Sequence, residues 1–283
     1  LQRRGYIEAM TGIDFITRLT HRAVIHITGA DSRDFLQRVV TRGPQGVGPD
    51  RALGSALLTP QGKVLADLIF FDDSAGGLLV DVPSSEADGL LKRFTLYRLR
   101  AKAQLTLRDD LAVAAACGES EGALKAVALA SASDPRSPAL GLRAIIPAIS
   151  DIAAAPAAWL AAKARAFVTE MPVDYTPAEV FSTDVNHDLL DMIDYKKGCF
   201  VGQEVASRMH RKGGVRKRTA YLTGDRIFSS GLDVTVGDTP LGALLSGGPG
   251  YGLALVRVDR LEAAPEPVTV DGHAVTVRRP DAG

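Results

Sequence analysis

The chain has 283 residues with 33 basic and 33 acidic side chains, so its formal charge is zero and no global attraction to nucleic acid, membrane or an acidic partner is expected. That length suits two or three domains with a substantial core. Two distant cysteines, Cys117 in an Ala/Val-rich run and Cys199 among charges, exclude a disulfide framework and predict a reducing compartment, the cytoplasm by default. No apolar run reaches the roughly 18 residues of a membrane helix, and the first thirty residues lack the pattern of a signal peptide.

In chain order, residues 18–29 alternate around Val24, Ile25 and Ile27 and predict a strand closing on Gly29. Asp31 or Ser32 can cap a helix whose Phe35, Leu36, Val39 and Val40 form an apolar face, and Gly43-Pro44 stops it. Residues 52–71 predict a hairpin turning at Thr59-Pro60-Gln61-Gly62-Lys63, with Asp67 inside the second strand. A strand over 78–82, a helix over 87–96 and alternation at 103–107 follow. Residues 111–164 are Ala-rich scaffold: a strand LAVAAAC, a helix over 121–130, a loop at 133–138, and a helix from Pro156 to about Val168 bearing Trp159, the only tryptophan. That ring reads equally as a ligand-stacking platform or as core filler. Residues 171–194, with acids at Asp174, Glu179, Asp184, Asp188, Asp191 and Asp194, predict an irregular loop covering a site. From about residue 215 short strands at 234–236, 242–245, 252–258 and 268–277 predict a small C-terminal barrel.

Between these blocks lies DYKKGCFVGQEVASRMHRK, residues 194–212. Gly198 and Gly202 permit backbone conformations or close approaches closed to other residues, and 202–209 predicts a helix with Val205 and Met209 on one face. Cys199 then stands just before a helix N-terminus beside Lys196 and Lys197, both of which favour a thiolate. The alternative is a small residue packing a turn. Glu204 and Arg208 are spaced to pair on the helix, for roughly 0.3–0.5 kcal/mol. No ligand-like spacing links Cys199 to His187 or His210, so no metal site is expected. The basic run from His210 to Arg218 reads as a solvated linker or as an RNA or phosphate contact.

KGCFVGQE, with Arg208 four residues beyond Glu204, closely resembles the signature of the YgfZ family, folate-binding relatives of the glycine-cleavage T-protein that act in iron–sulfur cluster maintenance. HRAVIHITGADSRDFLQRVVT, LLTPQGKVLADLIF, LYRLRAKAQL, VGDTPLGALLSG and YGLALVRVD resemble further family segments, so the resemblance covers most of residues 15–260. It implies an α+β fold, a three-domain ring of the T-protein type: residues 1–48 together with about 111–214 as the folate-binding domain, 49–110 as the central domain, and 215–283 as a β-barrel. It implies tetrahydrofolate as cofactor, with Arg22, Asp67, Trp159, Gln203, Glu204 and Arg208 around the pocket and Cys199 with Lys197 as the reactive pair. Two departures stand out. The T-protein has adjacent aspartates in its hairpin where this chain has Ala66-Asp67, and its Arg-x-Glu-x-Gly pterin grip corresponds here to RAFVTEMP, with Glu170 displaced. The resemblance therefore implies a folate-binding accessory factor for cluster assembly or repair, serving the iron–sulfur machinery or client enzymes such as tRNA-modifying ones. Alternatives are a folate-dependent one-carbon transferase using Asp67, and an RNA-contacting module at 211–218.

Overall fold

The computed structural model describes residues 14–211, 215–263 and 267–280; expectations that fall on the other positions, Lys212 of the basic run among them, lie outside the described residues. Fifteen strands among these residues form three sheets. The five-stranded sheet has the order β3 (Leu53–Leu58), β4 (Val64–Asp72), β5 (Leu78–Pro83), β2 (Arg22–Thr28), β6 (Gln104–Leu107), every neighbour antiparallel. The four-stranded sheet runs β1 (Phe15–Arg18), β7 (Leu111–Cys117), β9 (Leu142–Pro147), β8 (Ala130–Ser133). The boundary expected at residues 48 and 49 therefore runs through one sheet, because β2 hydrogen-bonds to β5 and β6.

Strand alternation decides which face each residue serves. On the outer face of the five-stranded sheet Ile25, Ile27, Ala66, Leu68, Phe70, Leu78, Val80 and Val82 are buried under α1 (Ser32–Gln37) and α2 (Ala87–Arg98), which contribute Phe35, Leu36, Leu90 and Phe94. The Phe35 and Phe94 rings meet edge to face at 6.2 Å. On the inner face Val24, Ile69, Phe71 and Leu79 pack against Val113, Ala115 and Ile145 of the four-stranded sheet and against Trp159 of α4 (Ala157–Arg165). The same parity puts Arg22, Asp67, Asp81 and Arg143 on this inner side.

Several elements differ from expectation: α1 ends at Gln37, short of the Gly43-Pro44 stop, and the strand expected over 268–277 is divided into three. The helix over 121–130 stops at Val127 as α3 (Glu121–Val127), and Ala130–Ser133 becomes β8 because the exposed edge of β9 offers it a ladder that outweighs alanine's helix preference. The two expected strands at 242–245 and 252–258 are one strand, β12 (Thr239–Arg257), whose first part pairs β11 (Asp233–Val236) and whose last part pairs β10 (Lys217–Ile227). With β13 (Val268–Val270), β14 (His273–Ala274) and β15 (Thr276–Arg278) these strands form the six-stranded C-terminal sheet, closed over Leu222, Phe228, Val234, Leu244 and Val256.

Candidate functional site: a buried charge network and an exposed cysteine turn

The inner-face charges converge. Arg22 donates from Nε to Asp81 Oδ1 at 2.6 Å and from Nη1 to Asp67 Oδ2 at 2.7 Å. Arg143 continues the chain from Asp81 Oδ2, 2.8 Å from its Nε, to Glu170 Oε1, 2.9 Å from its Nη1. Arg136 reaches the same Glu170 oxygen at 2.8 Å and closes a fork on Asp134 at 2.9 and 2.7 Å. The other Glu170 oxygen meets His21 Nε2 at 3.0 Å and accepts from Trp159 Nε1 at 3.2 Å. Asp67 Oδ1 accepts from the Met171 amide at 3.0 Å and the Tyr175 hydroxyl at 3.3 Å. Lys163 pairs with Asp174, which also accepts the Glu170 amide and the hydroxyl of Ser246 on β12, tying the barrel to the network.

Such burial is tolerable because each charge has an opposite partner. Burial alone raises the Glu170 carboxyl, but Arg143 and Arg136 outweigh it and hold it well below the usual range. Asp67 follows the same pattern, with Arg22 overcoming burial. His187 has no such support: burial lowers it from 6.5 to about 4, and neither ring nitrogen has a hydrogen-bond partner among the described residues. Of the acids at 171–194, Asp174, Asp188 and Asp191 pair with Lys163, Arg218 and Arg42, and Asp194 caps the cysteine turn. No group of three or more His, Cys, Asp or Glu among the described residues is placed to hold a metal ion.

The cysteine turn is built differently. Asp194 Oδ1 accepts the amides of Lys196 at 2.9 Å and Lys197 at 3.1 Å, which bends the chain outward and leaves Cys199 exposed. Lys197 reaches back to the Gln37 carbonyl at the end of α1 and lies 4.9 Å from the Phe200 ring centroid. Burial lowers its ammonium to about 8, against the pull of Asp194 and Cys199. Phe200 is the anchor, buried with Met171, Tyr175, Ile193 and Ala206. The next element, α5 (Gln203–Arg211), sits close on the β3–β4 turn: Gly202, at φ +80°, would place a Cβ 2.5 Å from the Thr59 carbonyl, and Gly62, at φ +81°, one 2.9 Å from Val205. Gly198 meets nothing within 4 Å of such an atom, so the close approach expected there belongs to Gly62 and Gly202.

The eight residues singled out in the sequence therefore fall into two groups. Arg22, Asp67 and Trp159 are joined in the buried network; Cys199 and Lys197 form the turn, and Gln203, Glu204 and Arg208 line a groove of about 460 Å³ on the surface of α5. Glu204 and Arg208 make no ion pair with each other. The groups are connected through the apolar cluster in which Phe200 packs with Tyr175 and Met171. Trp159 is fully buried, with the Arg143 and Arg136 guanidinium groups over its ring at 5.2 and 5.9 Å, so it is core and not a stacking platform. Asp81, Arg136 and Arg143 were missed as members, and Glu170 was noted only as displaced; for Asp81 and Arg143 the signal is a charge at an inward-facing position of an apolar run, LLVDVP and LRAIIP, while Arg136 and Glu170 lie outside the strands and carry no such signal. Of the basic run, Arg218 is bound to Asp188 and the Thr183 carbonyl. As direct contacts for tetrahydrofolate, Arg22, Asp67 and Trp159 do not fit: their polar atoms are engaged with one another, and a pterin would have to break buried ion pairs to reach them.

Residues 216–282 match the family model described as CAF17, C-terminal beta-barrel domain. Over longer stretches the chain is similar to proteins named iron-sulfur cluster assembly factor IBA57 homolog, mitochondrial. It is 33% identical to that of Pyricularia oryzae over 220 residues, 71% of this chain and 55% of the relative, and 29% identical to that of Mycosarcoma maydis over 228 residues, 74% and 57%. The Neurospora crassa relative is 30% identical over 231 residues, 72% and 52%. The chain thus spans little more than half the length of these curated relatives. They are named for IBA57 and not for YgfZ. The cytoplasmic expectation is corrected by them, since all three are named as mitochondrial; two unpaired cysteines speak to redox conditions and do not choose among reducing compartments. Among solved structures the glycine cleavage system aminomethyltransferase T from Bartonella henselae superposes with a TM-score of 0.69 at 13% identity, covering 96% of this chain and 86% of that one. The fold is therefore α+β of the glycine-cleavage T-protein type, ending in a small β-barrel domain.

Proposed function

We propose that this chain is an accessory factor of iron–sulfur cluster assembly that offers Cys199 as a thiolate ligand to cluster iron. The observation that carries this reading is the exposure of Cys199 on a turn fixed by Asp194, Lys197 and Phe200, in a chain similar to cluster assembly factors. Thiolates are the ordinary ligands of cluster iron, and four are typically needed. One cysteine leaves the remainder to a partner protein, so the cluster is held between two chains and passed to client enzymes, tRNA-modifying ones among them. Lys197 acts as a positioning residue, tethering the turn to the Gln37 carbonyl.

Anaerobic mixing with a cluster-loaded carrier tests the reading. Wild type is expected to change the visible circular dichroism of the cluster and, in a strain lacking the protein, to restore a cluster-dependent enzyme; Cys199→Ala is expected to do neither. Equal restoration by Cys199→Ala overturns it. The transferase reading has less support, because Asp67, the acid it needs, is paired with Arg22 and sealed from solvent. Turnover of a one-carbon donor by purified protein with tetrahydrofolate would revive it.

A further inference from the structure

The end of α2 and its turn into β6 carry an exposed surface unrelated to either group of site residues. Leu96 is 71% and Leu99 83% exposed; Arg98, Arg100 and Lys102 line a cleft with Leu99, and Arg93 precedes Leu96 by three positions on α2. Among the described residues none of these four cations forms an ion pair, although Arg98 donates to the Ala103 carbonyl at 2.6 Å. Asp31 reaches the turn but spends its carboxylate on the Lys102 amide, at 2.7 Å, and not on a side-chain charge. Leu99 also has a backbone conformation, φ 50° and ψ −111°, that suits glycine and costs a branched residue on the order of 1–3 kcal/mol. Exposure leaves that strain without any compensating burial in the free protein. A helix stop alone would be better served by glycine.

The turn faces Thr28, Gly29 and Ala30 across a cleft of about 620 Å³. Just beyond that corner α1 begins at Ser32, and its other end, Gln37, holds Lys197 of the cysteine turn. Six helical residues span about 9 Å. The cleft and the Cys199 turn are therefore at opposite ends of one short helix.

We propose that this cleft docks an acidic segment of a protein partner, its carboxylates meeting Arg100 and Lys102 and an apolar side chain closing on Leu99. The shape and chemistry favour this occupant over others. A membrane-lying helix needs a continuous free apolar face, whereas the apolar face of α2, with Leu90 and Phe94, is spent on the core. Single-stranded RNA needs exposed rings to stack on, and the rings of this stretch, Phe94 and Tyr97, pack inward. An acidic segment with one apolar anchor satisfies both the unpaired cations and the strained, displayed leucine. That the docked partner is also the one sharing a cluster through Cys199 rests on the preceding functional reading; the docking itself does not.

The test uses the full chain and a fluorescein-labelled peptide of alternating Glu and Leu, read by fluorescence anisotropy. Saturable binding that weakens with added salt is expected. Leu99→Ala and the double variant Arg100→Glu/Lys102→Glu are each expected to weaken it by about tenfold or more, and Cys199→Ala to leave it unchanged. Far-UV circular dichroism matching wild type shows that the variants fold. Absent binding, binding insensitive to the cleft variants, or a cleft-dependent preference for phosphatidylglycerol vesicles or polyuridylate over the peptide overturns the proposal. If Cys199→Ala still alters the cluster while the cleft variants lose the peptide, the functional reading fails alone; the reverse pattern sinks docking alone.

Discussion

The Glu170 network and the Cys199 turn use similar residue types, yet the first is sealed and self-satisfied while the second is open. Around Glu170 each carboxylate already faces a guanidinium or ammonium group, so the network's chemistry is consumed in joining the two sheets. At the turn, Asp194 and Lys197 spend their groups on backbone amides and a carbonyl, which fixes the chain and leaves the thiol unused. Charge density alone thus does not mark a reactive site; what matters is whether the groups find each other or leave one reactive atom free.

The largest expected effect sharpens this contrast. Glu170→Ala removes the carboxylate shared by Arg136, Arg143, His21 and Trp159, leaving Arg136 only Asp134 and Arg143 only Asp81, and should cost about 3–5 kcal/mol in urea unfolding. The equivalent cut at the turn, Cys199→Ala, should cost less than about 0.5 kcal/mol while removing the cluster signal. Comparable losses from the two would erase the distinction.

Next comes acid sensitivity. His187 titrates at about 4 when folded against 6.5 ordinarily, so between those values the unfolded chain binds more protons and stability falls as pH drops. The loss is on the order of 3 kcal/mol across that window, fully regained above it. Glu170 and Asp67, also held low, add loss only as pH falls through and below the ordinary carboxylate range. Urea unfolding of His187→Leu should show no decline above about pH 5; an unchanged slope there would move the acid sensitivity elsewhere.

Two backbone substitutions give smaller effects of opposite sign. Gly202→Ala forces a side chain against Thr59 at a positive φ and should cost about 2 kcal/mol, with α5 and the cysteine turn shifting together. Leu99→Gly removes strain at an exposed position and should raise stability by about 1 kcal/mol in thermal unfolding while losing the acidic peptide. A destabilised Leu99→Gly would mean the leucine is held by packing after all.

Much of this was legible in the residues. The alternation of VLADLIFF and LLVDVP placed strands and KGCFVGQE marked the turn, whereas the helix expected to run to Gly43-Pro44 ends at Gln37. The partners of each charge were not legible: Arg22 meets Asp67 across 45 positions and Asp81 across 59, and Trp159 meets Glu170 only because α4 and the following segment fold over the inner sheet face. Nor did spacing show that Glu204 and Arg208, four apart on a helix, would stay unpaired in solvent.

Local pattern by itself determined the strands, most helices, the glycine-bounded cysteine motif and the inward parity of the charged strand residues, because these depend on neighbours within one or two turns of chain. Only the tertiary structure decided that Arg22, Asp67 and Trp159 are interior and self-paired while Cys199 is the group left open. Burial and long-range pairing set the cost of each charge, and both come from how separate sheets meet.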